Sequence, residues 1–247
     1  MSDGNVYIGT SGWSYDHWKG TFYPEGVKKR DFLSCYAERL SSVELNNTFY
    51  SMPSEKTLTS WKKTVSRDFV FAVKASRYLT HMKKLKSPED ALAGFLHGIS
   101  SLSARTHVVL FQLPPRWKPD VDRLRDFLYL LPDTYRYAFE FRDERWFTDT
   151  VYSLLNKKNA AFCIYDIDRR QSPREVTADF IYIRLHGPED KYQGLYNKED
   201  LEEWVGAINT WTQNGHDVYC YFDNDQNGYA VRNAIELSSL IQAGRST

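Results

Sequence analysis

The chain has 247 residues, with 32 Lys+Arg against 32 Asp+Glu, so its formal net charge is zero. This length suits one domain with a substantial core, and we expect residues 1–247 to form a single domain. Balanced charge gives no global field for nucleic acid or a membrane, although it is compatible with a local basic patch. No apolar run is long enough to span a bilayer.

The start of the chain and the cysteines predict a cellular location. Residues 1–5 lack the basic region and the apolar run of a signal peptide. The three cysteines have no metal-binding or redox spacing, and Cys163 and Cys220 lie within apolar strands. We therefore expect a reduced, cytoplasmic protein, whereas its oligomeric state is not predictable from these features.

Short apolar runs that are typical of buried strands recur at near-regular intervals along the chain. Connections that are helical, or long enough to cross over, separate them, and this alternation predicts a parallel sheet. Eight repeats in a chain of this length predict an α/β fold, a TIM-type (β/α)8 barrel whose active site lies where the strands end. The predicted strands are 6–10, 42–46, 69–74, 107–112, 137–142, 161–166, 180–186 and 218–223.

The connections carry helix signals of unequal strength. Ser54, Ser87 and Asn197 each stand where a helix cap is expected, ahead of an amphipathic stretch. Residues 167–179 contain Pro173 and favour a short or irregular sixth helix. The first connection, residues 11–27, and the seventh, residues 187–196, are longer than the usual strand-to-helix loops and rich in aromatic residues.

Most of the predicted strands end in a charged or amide residue, and these residues lie on the same face of the pleat. In the fifth strand Phe139 and Phe141 alternate with Glu140 and Arg142, and the helix-facing side must be apolar. The same alternation sends Arg184 and His186 inward, and Asp166 as well if Cys163 and Tyr165 face the helices. The eighth strand is ambiguous because both of its faces are apolar. The inward set is Glu44, Asn46, Lys74, Gln112, Glu140, Arg142, Arg184, His186 and Asp223.

These residue types allow more than one role. Glu44, Glu140, His186, Asp223 and Lys74 are candidate catalytic groups, and Lys74 is also suited to a Schiff base. Asn46, Gln112, Arg142 and Arg184 are candidate ligand-binding groups, with the arginines suited to an anion. A purely structural ion-pair network is the alternative. No motif requires a cofactor, and the cations oppose a divalent metal among these acids.

The aromatic residues of the first connection allow two interpretations. As walls of a pocket, Trp13, Tyr15 and Trp18, together with Tyr50, would present flat apolar surface to a ligand and exclude water. As a plug, they would cover one end of the barrel and contribute to stability alone.

Several motifs occur along nearly the whole chain: GTSGWSY at residues 9–15, VELNNTFY at 43–50, Lys74, Thr80-His81, QLPP at 112–115, EFR at 140–142, RLHG at 184–187 and YFDND at 221–225. Together these segments resemble the YecE-like family, the domain of unknown function 72. The resemblance implies a TIM-type barrel, adds His81 and Asn224 to the binding residues, and supplies no reaction. Asp223 stands where the family pattern implies an amide.

The leading functional hypothesis is an enzyme that acts on a small anionic ligand bearing a sugar, nucleotide or phosphate group. Glu and His would supply acid–base chemistry, while Lys and Arg would hold the anion. One alternative is a divalent-metal-dependent phosphodiesterase or isomerase. A second is a non-catalytic module that binds nucleic acid or another ligand through its aromatic loops.

Overall fold

In the computed structural model, which describes residues 3–245, eight parallel strands form a nearly closed barrel ringed by helices, a TIM-type (β/α)8 fold. A ninth, two-residue strand pairs antiparallel with one of the eight. The strands are β1 (Val6–Thr10), β2 (Ser42–Leu45), β3 (Val70–Lys74), β4 (Thr106–Gln112), β5 (Arg136–Glu140), β6 (Ala161–Ile167), β7 (Arg170–Gln171), β8 (Phe180–Leu185) and β9 (Asp217–Phe222). All eight predicted strands are present, with ends within two residues of the prediction.

Within residues 3–245, seven α-helices connect or follow the strands. Asn197 begins its helix with a capping box, and Ser54 accepts a hydrogen bond from the Thr57 N–H, as predicted. The Ser87 cap is wrong: Pro88 precedes that helix, and Ser87 has a left-handed φ of 42°. The helices are α1 (Phe32–Ala37), α2 (Glu55–Thr64), α3 (Glu89–Ile99), α4 (Val121–Leu130), α5 (Asp149–Lys158), α6 (Lys198–Gln213) and α7 (Tyr229–Arg245).

The sixth connection has no helix. After β6 the chain turns back as β7, and Ser172 Oγ accepts a hydrogen bond from the Tyr165 N–H. The sequence predicts an inward Asp166 only if Cys163 and Tyr165 face the helices. This condition is not met, because it is the Phe162 ring that packs against a helix, at Tyr152 of α5. Alternation along β6 then puts Cys163 and Tyr165 on the face opposite Phe162, and Asp166 on the same face as Phe162.

The chain divides into two compact units, which we describe separately. The first comprises residues up to Glu44, Ile164–Ser172 and residues from Phe180 onward; the second comprises Leu45–Cys163 and Pro173–Asp179. The expectation that the chain starts without a signal peptide rests partly on Met1 and Ser2, which lie outside the described residues. Within residues 3–245, none of the helices is both long and apolar enough to cross a membrane.

In the first unit, β9 pairs with β1 on one side and with β8 on the other. This register aligns Tyr219 with Tyr7 and Tyr182, and aligns Tyr221 with Arg184. The Tyr7 and Tyr219 rings stack with centroids 4.8 Å apart. The ambiguity of the last strand is thereby resolved, because alternation places Asp223 on the same face as Tyr219 and Tyr221.

In the second unit, β4 pairs with β3 and β5, and Gln112 is the register partner of Glu140. The helix-facing side of this sheet is aromatic: Phe127 of α4 packs edge-on against Phe111 and Phe139. Phe141 stacks on Trp146 with centroids 4.9 Å apart. Since the odd-numbered positions of β5 pack on helices, Glu140 faces away from them, as the alternation predicts.

Candidate active site

The first unit contains a closed hydrogen-bond network that we call the Arg184 network; it consists of Ser11, Glu44, Tyr182, Arg184, His186 and Asp223. At its centre the Arg184 guanidinium holds the Glu44 carboxylate through two bonds, Nε–Oε2 at 3.0 Å and Nη2–Oε1 at 2.7 Å. Tyr182 Oη donates to Oε2 at 2.7 Å, and Ser11 Oγ donates to Oε1 at 2.8 Å. Four donors therefore saturate a carboxylate that is fully buried.

The same guanidinium fixes the tautomer of His186. Arg184 Nη1 lies 3.4 Å from His186 Nε2, and a guanidinium N–H donates only, so Nε2 carries the lone pair. His186 Nδ1 then bears the proton and donates to Asp223 Oδ2 at 3.0 Å, an oxygen that Arg184 Nη2 also contacts at 3.1 Å. With a neutral imidazole, the two carboxylates and one guanidinium leave this network one negative charge.

The network gives three of the candidate residues partners within the protein, which argues against direct ligand contact. Glu44, Arg184 and His186 are each fully buried, and their polar side-chain atoms are bonded to one another. They have no surface with which to touch a ligand, and Arg184 already holds two carboxylates instead of an external anion. Asp223 differs, because 18% of its side chain is exposed.

The aromatic residues of the first connection pack around Trp18, which favours the plug interpretation over the wall for this residue. Trp18 is fully buried, with its ring against Phe22 and Tyr23, and its Nε1 donates to Asp225 Oδ1 at 2.7 Å. Trp13 is 8% exposed and accepts a hydrogen bond from Tyr23 Oη through its carbonyl.

Tyr15 is half-buried beside this plug. Its Oη donates to the Ser11 carbonyl at 2.6 Å. Burial, followed by the negative charges of Asp223 and Asp225, raises its pKa well above the usual range. The phenol therefore remains protonated, and its ring contacts Trp18 at a centroid distance of 4.9 Å.

Asp225 is a functional candidate that the sequence reading missed. Its Oδ2 lies 3.0 Å from Nε2 of the half-exposed His17. Burial, with a further contribution from Asp223, raises the pKa of Asp225 to about 6, although Trp18 and His17 act in the opposite direction. The signal was present in the sequence as the last residue of YFDND, a second acid two positions after Asp223.

Asn224, expected to bind a ligand, is instead fully buried. Its Nδ2 donates to the Gly194 carbonyl at 2.9 Å and to Asn233 Oδ1 at 3.0 Å. It thereby ties residues 187–196 to α7. The same connection needs glycine at Gly187, where φ is +120° and a Cβ would meet the Gln193 carbonyl at 2.1 Å.

The second unit contains a different group, which we call the Lys74 cluster: Asn46, Phe49, Lys74, His81, Gln112, Glu140 and Arg142. Lys74 ends β3, and its Nζ lies over the Phe49 ring, 4.5 Å from the centroid. The His81 ring meets Phe49 edge-on at 5.1 Å. Gln112 and Glu140 are register partners at the ends of β4 and β5, and Arg142 Nε donates to Glu140.

The charges of the Lys74 cluster act on His81. Burial, followed by the positive charges of Lys74, Arg77 and Arg142, lowers the pKa of His81 to about 4, although Glu140 acts in the opposite direction. The imidazole is therefore neutral at pH 7. Because these charges change its pKa, His81 lies within the field of both strand-end cations, Lys74 and Arg142.

The tautomer of His81 follows from its neighbour Thr80. The Thr80 hydroxyl donates its single proton to the Ser76 carbonyl at 3.1 Å, so it accepts in its 3.0 Å contact with His81 Nδ1. Nδ1 is then protonated and Nε2 has the lone pair. Within residues 3–245, no hydrogen-bond partner is found for His81 Nε2.

Two further predicted residues of this unit have contrasting exposures. Asn46 leaves the strand geometry with φ −94° and ψ −20°, and its buried Oδ1 has no hydrogen-bond partner among the described residues. Tyr50 is 79% exposed and packs only edge-on against Phe49, so it does not enclose a pocket as expected.

Metal ligation has little support in the described ranges. Across residues 3–245, no group of three or more His, Cys, Asp or Glu side chains is placed to hold a metal ion. Glu44 and Asp223 both face Arg184, whose guanidinium occupies the position that a cation would need.

Fold and strand-end chemistry together define a (β/α)8-barrel protein with polar clusters at the carboxyl ends of its strands. A family model for a protein of unknown function, DUF72, matches residues 7–247, and the chain belongs to this family. Its curated relatives include the UPF0759 protein YunF of Bacillus subtilis, 26% identical over 96% of this chain and 94% of that protein. The UPF0759 protein YecE of Escherichia coli K12 is 26% identical over 84% of this chain and 82% of that protein.

Solved structures agree with this assignment. A DUF72 family protein from Thermotoga maritima is 29% identical, with a TM-score of 0.88, covering 96% of this chain and 99% of that one. A DUF72 family protein from Enterococcus faecalis shares the fold at 20% identity, with a TM-score of 0.82 and coverage of 96% and 95%. The resemblance to the YecE-like family is confirmed.

Proposed function

We propose that this protein is an enzyme that acts on a small anionic ligand by acid–base chemistry at the Lys74 cluster. The observation that carries the proposal is His81, a neutral imidazole with a fixed tautomer and a bare Nε2 in a cationic environment. A general base needs a lone pair that is neither protonated nor already hydrogen-bonded, and His81 Nε2 has one.

The surrounding charges favour an anion. Lys74, Arg77 and Arg142 act on His81 against the single carboxylate of Glu140, so the groups that affect this imidazole have a positive excess. Arg142 is mostly buried, with 10% of its side chain exposed, and a guanidinium in such a position holds carboxylate or phosphate oxygens well. An anion bound here would also stabilise a proton on His81, because it would offset the positive charges that lower its pKa.

Glu140 holds Arg142 in position just after β5. It is fully buried and accepts a hydrogen bond from Arg142 Nε. The buried Oδ1 of Asn46 adds an acceptor that a ligand hydroxyl or amide N–H would satisfy. These groups make the second unit the part of the chain best suited to bind and turn over a sugar-, nucleotide- or phosphate-bearing molecule. A cytoplasmic location stays a prediction from the sequence.

The first experiment identifies the ligand. Native mass spectrometry of the purified protein should find a co-purified anion, and calorimetry should detect binding of inorganic phosphate or pyrophosphate. Lys74→Met should weaken phosphate binding by about tenfold or more, the worth of one charge-assisted hydrogen bond. Arg145→Gln is the matched control, because Arg145 is half-exposed and already paired with Asp143.

His81→Gln separates binding from chemistry. This variant should keep affinity for the identified ligand within a few-fold and lose turnover by roughly 10²–10⁴-fold, the usual contribution of a general base. Equal phosphate affinity in the wild type and Lys74→Met would overturn the anion assignment. Unchanged turnover in His81→Gln would overturn the role of the base.

A further inference from the structure

The acid-free stretch with the most Lys and Arg residues lies at the Lys74 cluster. From residue 69 to residue 88 the chain has no Asp or Glu, although its overall charge is zero. Four of the cations in this stretch fall within residues 77–86, which we call the basic turn: Arg77, Lys83, Lys84 and Lys86. The chemistry proposed above depends on the Lys74 cluster and leaves Lys83, Lys84 and Lys86 unexplained.

The backbone of the basic turn has a defined and unusual shape. Tyr78–Met82 is a π-helical turn, closed by a bond of 2.9 Å from the Lys83 N–H to the Tyr78 carbonyl. The chain leaves it through Lys84 and Leu85, which have left-handed φ values of 49° and 59°. Non-glycine residues adopt this region at a cost of about 1–2 kcal/mol each, and single π-turns occur frequently at functional sites.

Two buried leucines hold this shape. Leu79 is fully buried and Leu85 is 2% exposed, and the Leu85 N–H donates to the Leu79 carbonyl at 3.1 Å. The intervening polar side chains are therefore presented on a preformed surface. A partner that binds there has little ordering entropy to overcome.

The cations of the basic turn are free to meet a partner. Arg77, Lys84 and Lys86 are exposed, and in the described part of the chain none of them has an ion pair. Several cations elsewhere in the same unit are paired with carboxylates, for example Arg125 with Asp122 and Lys158 with Asp133. The positive field of the basic turn is thus not neutralised locally, and it attracts a polyanion.

Exposed aromatic rings accompany these cations. Tyr78 is 51% exposed, with Lys83 Nζ 5.7 Å from its ring centroid, and Tyr50 is 79% exposed. The Tyr50 ring packs on Phe49, which in turn contacts His81 of the π-helical turn. Aromatic faces next to unpaired cations are the combination that holds single-stranded nucleic acid, with bases stacked on rings and phosphates on cations.

We propose that the basic turn is a docking surface for single-stranded nucleic acid, with Arg77, Lys84 and Lys86 on the phosphates and Tyr78 stacked on a base. Duplex bases are already stacked, so Tyr78 discriminates in favour of single strands. A bilayer fits less well, because Met82 is the one aliphatic or thioether side chain of residues 77–86 that is largely exposed.

The test is fluorescence anisotropy with labelled oligothymidylate and oligouridylate of about 20 nucleotides, longer than a single stacking platform. Three to four phosphate contacts predict that raising KCl from about 50 to about 200 mM weakens binding by roughly 20- to 50-fold. Lys84→Gln with Lys86→Gln should flatten the slope of log affinity against log salt by about 1.4, and Tyr78→Ala should weaken binding by about tenfold.

Matched controls locate the surface. Lys56→Gln with Lys63→Gln removes two exposed lysines of α2 and should leave the salt slope unchanged. Tyr129→Ala removes a 79% exposed tyrosine from the groove between α4 and α5 that Lys157 also lines, and should leave affinity unchanged. The Lys84/Lys86 variant should also keep the phosphate affinity of the Lys74 cluster. A failure of the docking proposal can therefore be distinguished from a failure of the proposed function.

Three results would overturn the docking surface. The first is no anisotropy change with either oligonucleotide at about 50 mM KCl. The second is equal loss of binding in the α2 control or in Tyr129→Ala. The third is equal binding to a duplex of the same length, or sedimentation with phosphatidylserine vesicles in the absence of oligonucleotide binding.

Discussion

The Arg184 network and the Lys74 cluster contain similar residue types but differ in how their charges are satisfied. In the first unit, Glu44 receives four hydrogen bonds and both nitrogens of His186 are used. In the second unit, His81 keeps a bare Nε2 and cations exceed carboxylates around it. A charged strand end is therefore not by itself a sign of reactivity. What matters is whether another part of the chain already satisfies it.

The two regions also differ in their aromatic residues. In the first unit, Trp18, Phe22 and Tyr23 are buried against one another. In the second unit, Tyr50 and Tyr78 are exposed beside cations. Buried rings contribute to stability through the apolar area removed from water, whereas exposed rings are available to a partner. The first set therefore contributes to stability, and the second set is the one for which we propose a role in recognition.

The largest effect on stability is expected from a substitution that breaks the Arg184 network. Glu44→Gln should lower the free energy of unfolding by about 3–5 kcal/mol, because it leaves the buried Arg184 guanidinium without its main counter-charge. Urea denaturation followed by circular dichroism measures this loss. Glu38→Gln, at an exposed position of the same unit, should change stability by no more than about 0.5 kcal/mol. A Glu44→Gln loss below about 1 kcal/mol would contradict a fully desolvated network.

A smaller loss of stability is expected from a substitution at Trp18, which tests the plug interpretation of the first connection. Trp18→Phe keeps a ring but removes the N–H that Asp225 Oδ1 accepts, and should cost about 1–3 kcal/mol of stability. It should also raise the pKa of Asp225 further, since Trp18 opposes that shift. Thermal unfolding and phosphate calorimetry on the same samples separate the two interpretations of the first connection. Lost phosphate affinity with an unchanged melting temperature would favour the pocket wall instead.

The smallest expected effects are changes of folding stability with pH, which have opposite signs for His81 and Asp225. The pKa of His81 is lowered from 6.5 to about 4 on folding, so the unfolded chain binds more protons between these values, and stability falls as pH drops from about 6.5 towards 4. The pKa of Asp225 is raised from 3.8 to about 6, so the stability it contributes is complete below about 3.8 and is lost as pH rises through 6.

Substituting each residue should reveal the sign of its contribution to the pH dependence of stability. Relative to the wild type, His81→Gln should gain stability as pH is lowered from about 6.5 to 4, whereas Asp225→Asn should gain stability as pH is raised from about 4 to 7. Urea denaturation at a series of pH values measures both, and both changes should be smaller than those above because the two groups are partly solvated. Parallel curves for a variant and the wild type would contradict the shift assigned to that residue.

The sequence by itself determined the fold and the facing of most strand residues. Period-two alternation put Phe139 toward helices and Glu140 away from them, because a strand side chain can only point to one of two faces. The alternation of strands and crossovers predicted the (β/α)8 barrel, and the motifs predicted the family. Where both faces of a strand are apolar, as in β6, alternation does not predict which face points inward. The expectation that Cys163 and Tyr165 face the helices, on which an inward Asp166 depended, was wrong for this reason.

Only the tertiary structure decided which charged residues are saturated and which are open. Arg184 and Glu44 are 140 positions apart, so no local pattern reports that they bond, nor that His186 lies between Arg184 and Asp223. Sequence reasoning favoured His186 as the acid–base residue because it ends a strand. We propose His81 instead, because the Thr80 hydroxyl leaves its Nε2 lone pair available and side chains from several elements lower its pKa. Alternation fixes the face on which a side chain lies, but pKa values and hydrogen-bond saturation depend on distances that only the folded chain defines.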